Sequence, residues 1–271
     1  MGINEAIILG LVQGLTEFLP VSSSGHLVLG KTLLGIAEQG IAFEVFVHFG
    51  TLLAVLTVFR NDLAALVKTF FSLFKSHNQL PIKERCKNDE NLRLLIFIII
   101  ATLPAAIVGL LFKDYFENTY NDPKLVSFML IITAFILLGT LFRPEAKKNL
   151  ELGNTLIMGF AQAFAILPGI SRSGSTISFG MYFRLSGDDA ARFSFLMAVP
   201  AILGATFLNT FDLLAVGIDT NFIIILLIGT VVAYISGFIA IKTLFKIIRK
   251  GKLFWFAPYC LILGILGLLF L

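Results

Sequence analysis

Charge is scarce in this chain. Asp, Glu, Lys and Arg make up 14% of its 271 residues, while 57% are hydrophobic and mean hydropathy is +0.92. Soluble domains carry roughly 25% charged residues, so this composition excludes an ordinary soluble enzyme and defines a polytopic membrane protein. Cysteine is nearly absent. Cys86 and Cys260 lie far apart, which excludes a disulfide framework and a thiolate metal centre. The opening "MGINEAIILG" has neither the basic n-region and cleavage site of a signal peptide nor the Ser or Thr of a myristoylation motif. The isoelectric point is near 9.1, but the basic residues are spread over loops, so no nucleic-acid partner is expected.

What is abundant is long apolar runs. A helix needs about 20 mostly apolar residues to cross a bilayer. Six stretches qualify, near 42–60, 92–112, 125–142, 192–210, 222–241 and 254–271. Two more, near 3–35 and 153–185, are broken midway by Pro, Gly and Ser, and each reads as a re-entrant hairpin, since broken backbone at membrane depth is tolerated only against protein or a wet cavity. Loops 61–91, 143–152 and 242–253 are rich in Lys and Arg, whereas 211–221 carries only Asp212 and Asp219 and 113–124 is net acidic. The positive-inside rule then places the first three in the cytoplasm and both termini outside. The segment from Lys75 to Arg93 reads as a solvated loop near anionic lipid. Tyr182, Arg184 and Arg192 are expected at the cytoplasmic interface.

The sequence also repeats itself. At an offset of 149 residues, Gly10 meets Gly159, Gln13 meets Gln162, Ser22 meets Ser171, Ser24 meets Ser173 and Gly25 meets Gly174. With the topology above, the repeats (about 1–142 and 153–271) are inverted, and their two hairpins meet near the midplane of a single membrane domain. A weaker echo, "TLPAAIVG" at 102–109 and "AVPAILG" at 198–204, reads as close helix packing through small residues.

Polar groups concentrate at the hairpin breaks. "LVQGLTEFLPVSSSGHL" (residues 11–27) holds Gln13, Glu17, Ser22, Ser23, Ser24, Gly25 and His26; "LPGISRSGSTI" (167–177) holds Ser171, Arg172, Ser173, Gly174, Ser175 and Thr176. A helix restarting after a Ser/Gly turn offers backbone N–H groups and partial positive charge to an anion. A guanidinium inside a membrane is costly and needs a partner, and a phosphate bound bidentately suits Arg172. Gln13 and Glu17, four residues apart, share a helix face. Glu17 can act as a base or hold a divalent cation, and His26 lies within a turn of the hydroxyls. The set is what phosphoryl transfer needs. The plainer readings are a Ser cap, a satisfied core His and a structural Glu17–Arg172 ion pair. Glu44 and His48, a further pair four apart, read as packing or an access path.

These two stretches resemble the paired signatures of the bacterial undecaprenyl-diphosphate phosphatase, or bacitracin-resistance, family. The likeness extends over length, six spans and two hairpins. It implies an integral membrane hydrolase converting undecaprenyl diphosphate to the monophosphate and inorganic phosphate, which recycles the lipid carrier for peptidoglycan and confers bacitracin tolerance. It implies further that Ser23 is the nucleophile proposed for the family, with His26 the essential histidine and an alternative nucleophile; direct attack by activated water is equally compatible with the sequence. Arg172 would bind phosphate beside Ser171, Ser173 and Thr176, and Glu17 would serve a Mg²⁺ or Ca²⁺ cofactor. Many members have Glu where this chain has Gln13, which weakens Gln13 as a ligand. The partners implied are the polyprenyl diphosphate and membrane lipids, and a homodimer is compatible with it. Two rivals stand. An inverted repeat with broken helices also suits a transporter or flippase of an anionic lipid or small anion. The other membrane lipid-phosphatase family shares Ser-Gly-His, but its Lys-x₆-Arg-Pro and later His motifs are missing, as no His follows His77.

Overall fold

The computed structural model describes residues 1–34, 41–74, 82–120, 122–146, 149–216 and 220–271. Among the described residues the chain is helical throughout, with thirteen α-helices and no strand. In order they are α1 (Ile3–Phe18), α2 (Ser23–Leu34), α3 (Ile41–Val58), α4 (Arg60–Ser72), α5 (Ile82–Asn88), α6 (Glu90–Leu111), α7 (Lys113–Thr119), α8 (Pro123–Gly139), α9 (Leu152–Phe164), α10 (Arg172–Tyr182), α11 (Gly187–Val216), α12 (Thr220–Arg249) and α13 (Phe256–Phe270).

Five helices are long and apolar enough to cross a membrane: Glu90–Leu111, Pro123–Phe142, Gly187–Phe207, Phe222–Arg249 and Leu253–Phe270. They account for five of the six expected spans. The sixth, 42–60, differs. Helix α3 stops at Val58, and α4 leaves it at 85°. The reason is local. Arg60, Asn61 and Asp62 end the apolar run, and α4 is amphipathic, burying Leu66 and Thr69 while exposing Phe70 and Phe71. Such a helix suits a membrane interface better than a membrane core. Residues expected as loops are also partly helical. Helix α5 and the start of α6 occupy much of the 75–93 segment, of which 75–81 lie outside the described residues. Lys242, Lys246 and Arg249 ride on the end of α12. Lys147 and Lys148 also lie outside the described residues.

Small residues set the closest helix approaches, as expected where lipid removes the hydrophobic drive between helices. A Cβ on Gly10 of α1 would stand 2.7 Å from the Gly229 carbonyl of α12. A Cβ on Gly159 of α9 would stand 2.7 Å from the Ala101 carbonyl of α6. Gly10 and Gly159 are the first matched pair of the 149-residue offset. Helices α6 and α11, which carry the "PA" echo, also pack together. Beneath the first hairpin, Phe18, Phe59 and Phe245 surround Phe195, with ring centroids 5.6–6.0 Å away, and give the site a rigid apolar floor.

Candidate active site

Proline breaks the first hairpin. Pro20 disfavours helical backbone at the residue before it, and Leu19 is extended (φ −63°, ψ 143°), which closes α1 just after Glu17, with Gln13 one turn earlier. The chain turns through Ser22 at φ +68°, a left-handed conformation uncommon for a residue with a Cβ. Helix α2 restarts with Ser22 as its cap, its Oγ accepting from Gly25 N–H at 3.2 Å. The second hairpin is built alike. After Pro168 and Gly169 (φ +92°), Ser171 caps α10 by accepting from Gly174 N–H at 3.0 Å. The Ser22 and Ser24 hydroxyls stand 3.2 Å apart, and those of Ser171 and Ser173 3.4 Å. Helices α9 and α10 begin 149 residues after α1 and α2.

The two turns touch. Gly169 N–H donates to Ser24 Oγ at 3.4 Å, and Ser173 Oγ donates to the Leu19 carbonyl at 3.3 Å. A Cβ on Gly174 would meet Pro20 at 3.2 Å, so the contact depends on a small residue there. Each turn is tied to a neighbouring span. Thr133 of α8 donates to the Gly169 carbonyl at 2.9 Å and accepts from Ser171 N–H at 3.0 Å. Cys260 of α13 contacts the Pro20 carbonyl at 3.7 Å.

This junction brings Glu17, 8% exposed, to the centre of a converging set. Arg172 donates from Nη2 to Glu17 Oε1. Ser23 Oγ donates to Glu17 Oε2 at 2.5 Å, and Gln13 Nε2 donates to the same oxygen at 3.1 Å. His48 Nε2 stands 3.8 Å from it. Two atoms here are buried without a protein partner, Gln13 Oε1 and Arg172 Nη1. Unpaired buried polar atoms are costly, and beside a guanidinium they mark where a polar ligand fits.

The remaining residues singled out from sequence take other places. His26 bonds the Ser22 carbonyl and Tyr259 of α13. Thr176 is fully buried, donates to the Arg172 carbonyl at 2.8 Å and faces Ser194 of α11 at 2.6 Å. Ser22 and Ser171 serve as caps. Glu44 pairs with Lys31, while His48 reaches Glu17. Arg192 pairs with Asp62, and Tyr182 donates to the Ile136 carbonyl. Sequence reasoning missed His48, Thr133 and Tyr259 as neighbours of the site. His48 had a visible signal, a polar pair at helical spacing on an apolar helix. A single Thr or Tyr on a span carries none.

An apolar helical bundle with a Glu–Arg–Ser cluster buried between two broken helices defines the class as a multi-pass membrane protein with a hydroxyl held on a buried carboxylate. The family model described as bacitracin resistance protein BacA matches residues 6–266, and the chain belongs to that family. It is 42% identical to a Salinibacter ruber protein named undecaprenyl-diphosphatase, over 97% of both chains. Relatives of the same name from Halothermothrix orenii (43%, covering 98% of this chain and 97% of the relative) and Christiangramia forsetii (42%, 100% and 98%) are equally full-length matches.

Proposed function

We propose that this protein is an undecaprenyl-diphosphate phosphatase of the bacterial cytoplasmic membrane. It cleaves the lipid diphosphate to the monophosphate and inorganic phosphate, and so supplies the carrier for peptidoglycan synthesis and raises bacitracin tolerance. The observation that carries this reading is the Ser23 hydroxyl held at 2.5 Å on Glu17, itself paired with Arg172. An anion transporter or flippase has no need of a hydroxyl held on a base, so the hydrolase is favoured.

The mechanism follows from the pairings. In the resting site Arg172 and Glu17 neutralise one another. An arriving diphosphate draws the guanidinium to itself, with Nη1 already unpaired, and the first turns of α2 and α10 add backbone donors. Glu17 loses its cation and becomes the better proton acceptor. Ser23 Oγ then bonds to the terminal phosphorus and its proton passes to Glu17 Oε2. The bond from that phosphorus to the bridging oxygen breaks, and the lipid monophosphate leaves with the electron pair. Water then attacks that phosphorus, the Oγ–P bond breaks as Ser23 Oγ takes back the proton held by Glu17, and phosphate departs carrying the water's oxygen and both its protons. A divalent cation fits the donor set only in company with substrate. Among the described residues no three His, Cys, Asp or Glu side chains could hold one alone, yet Gln13 Oε1 is a free buried oxygen beside Glu17. Phosphate oxygens would complete that shell, as is usual for Mg²⁺. Gln13 and Glu17 would hold Mg²⁺ or Ca²⁺, which supplies charge neutralisation on the phosphoryl oxygens.

The proposed architecture is six spans with two re-entrant hairpins in an inverted repeat, both termini outside. The matched caps, matched helix starts and matched glycine contacts support it. Phosphate release from undecaprenyl diphosphate by the purified protein tests the activity. Release should stop with chelator and return with Mg²⁺ or Ca²⁺. Quenched enzyme should carry acid-stable phosphate that Ser23→Ala lacks. No release from the wild type defeats the phosphatase reading, and normal turnover in Ser23→Ala defeats the covalent step.

A further inference from the structure

The His26 ring is committed at both nitrogens. Nδ1 lies 2.8 Å from the Ser22 carbonyl oxygen, an atom that can only accept, so Nδ1 carries a proton. Nε2 lies 2.6 Å from the Tyr259 hydroxyl, which donates to it in the neutral ring. The two rings are stacked, 8° from parallel with centroids 5.5 Å apart. What His26 grips matters. Ser22 is held at φ +68°, and Ser23, which follows it directly, must point its Oγ at Glu17. A left-handed conformation at a residue with a Cβ persists only where surrounding contacts hold it. The Ser22 carbonyl is held by the His26 ring and by the His26 backbone N–H at 3.2 Å. Helix α13 supports the same turn from a second point, Cys260 on the Pro20 carbonyl.

We propose that Tyr259 and His26 form a brace: the tyrosine fixes the imidazole, the imidazole fixes the Ser22 carbonyl, and the strained turn thereby aims Ser23 at Glu17. Both are positioning residues. The tyrosine hydroxyl donates into Nε2 and so polarises the ring, which strengthens the Nδ1–H bond to Ser22 through the chain of hydrogen bonds. It also occupies the lone pair that a nucleophilic or basic His26 would need, so an essential histidine is explained without a phosphohistidine. This inference rests on the phosphatase reading for its kinetic test but not for its spectroscopic one.

The test is Tyr259→Phe in the full-length protein, which keeps the stacked ring and removes only the hydroxyl. With undecaprenyl diphosphate, kcat should fall about tenfold, the worth of one hydrogen bond, while KM stays within about twofold. In NMR of protein with isotope-labelled histidine, assigned by His26→Asn, the wild type should show one His26 tautomer protonated at Nδ1, and Tyr259→Phe a mixture. Tyr259→Leu, which also removes the stack, should fall further in kcat with the same tautomer mixing. Unchanged kcat in Tyr259→Phe overturns the brace, and so does acid-labile phosphate on His26 in quenched wild-type enzyme. A wild type that releases no phosphate defeats the phosphatase reading instead. The tautomer signal then decides the brace alone, a single unshifted tautomer in Tyr259→Phe overturning it.

Discussion

A single carboxylate organises this site, and each residue on it does a different job. Arg172 takes one oxygen of Glu17, while Ser23 and Gln13 share the other. Substitutions should therefore separate by role. Arg172→Lys keeps the charge but loses the planar fork proposed to grip phosphate, so kcat/KM should fall about 100-fold with the fold intact. Arg172→Ala also strands Glu17, and an unpaired buried charge costs about 3–5 kcal/mol, so lower activity should come with a lower melting temperature. Ser23→Ala should lose at least about 10³-fold in kcat. Ser24→Ala gives up two long bonds, to Gly169 N–H and to the Ser22 hydroxyl, and should lose less than about tenfold, the range of modest hydrogen bonds. Phosphate-release assays on the four variants check the order. Equal losses for Ser23 and Ser24 would mean that the serine run acts only as a helix cap.

At the scale of the element, two segments break and restart as helices at the Pro, Gly and Ser clusters of their sequences, and the reasons are local. Pro20 and Pro168, each followed by a capping serine with a glycine three residues on, dictate stop, turn and restart wherever the segment sits. The grouping of Gln13, Glu17 and Ser23 was legible for the same reason, since all three lie within one hairpin. The bend at Phe59 was not, because no proline or glycine stands near Val58 where the apolar run ends, and only the amphipathicity of α4 betrays the turn. Nor were Thr133 and Tyr259, whose partners lie 36 and 233 residues away. Helix packing offers a symmetric test. Gly10→Ala and Gly159→Ala each push a Cβ to 2.7 Å from a backbone carbonyl that cannot swing aside. Each should cost about 1–3 kcal/mol, while Gly30→Ala, which meets open space, should be neutral or slightly stabilising. Thermal unfolding in detergent measures all three. A loss at Gly10 with none at Gly159 would break the parallel between the hairpins.

For the whole molecule, the spatial exchange between repeats is what makes one site from two halves. The first turn leans on α13 and the second on α8, so each half's hairpin is fastened by a span from the other half. A monotonous bundle of apolar helices could not hold a Glu–Arg pair across 155 residues of sequence, because neither group tolerates burial alone. The charge of the loops predicts that the two halves enter the membrane from opposite faces. The starts of α1 and α9 test this directly. Gly2 and Gly153 both have open space where a Cβ would stand, so cysteine fits at either. With Cys86 replaced by Ser and Cys260 left buried, a membrane-impermeant maleimide should label Gly2→Cys in intact cells. It should label Gly153→Cys only after permeabilisation. Labelling of both from one side would mean that a hairpin crosses the membrane and that the repeats run parallel, and the two helix restarts would then have to reach the phosphate from the same face.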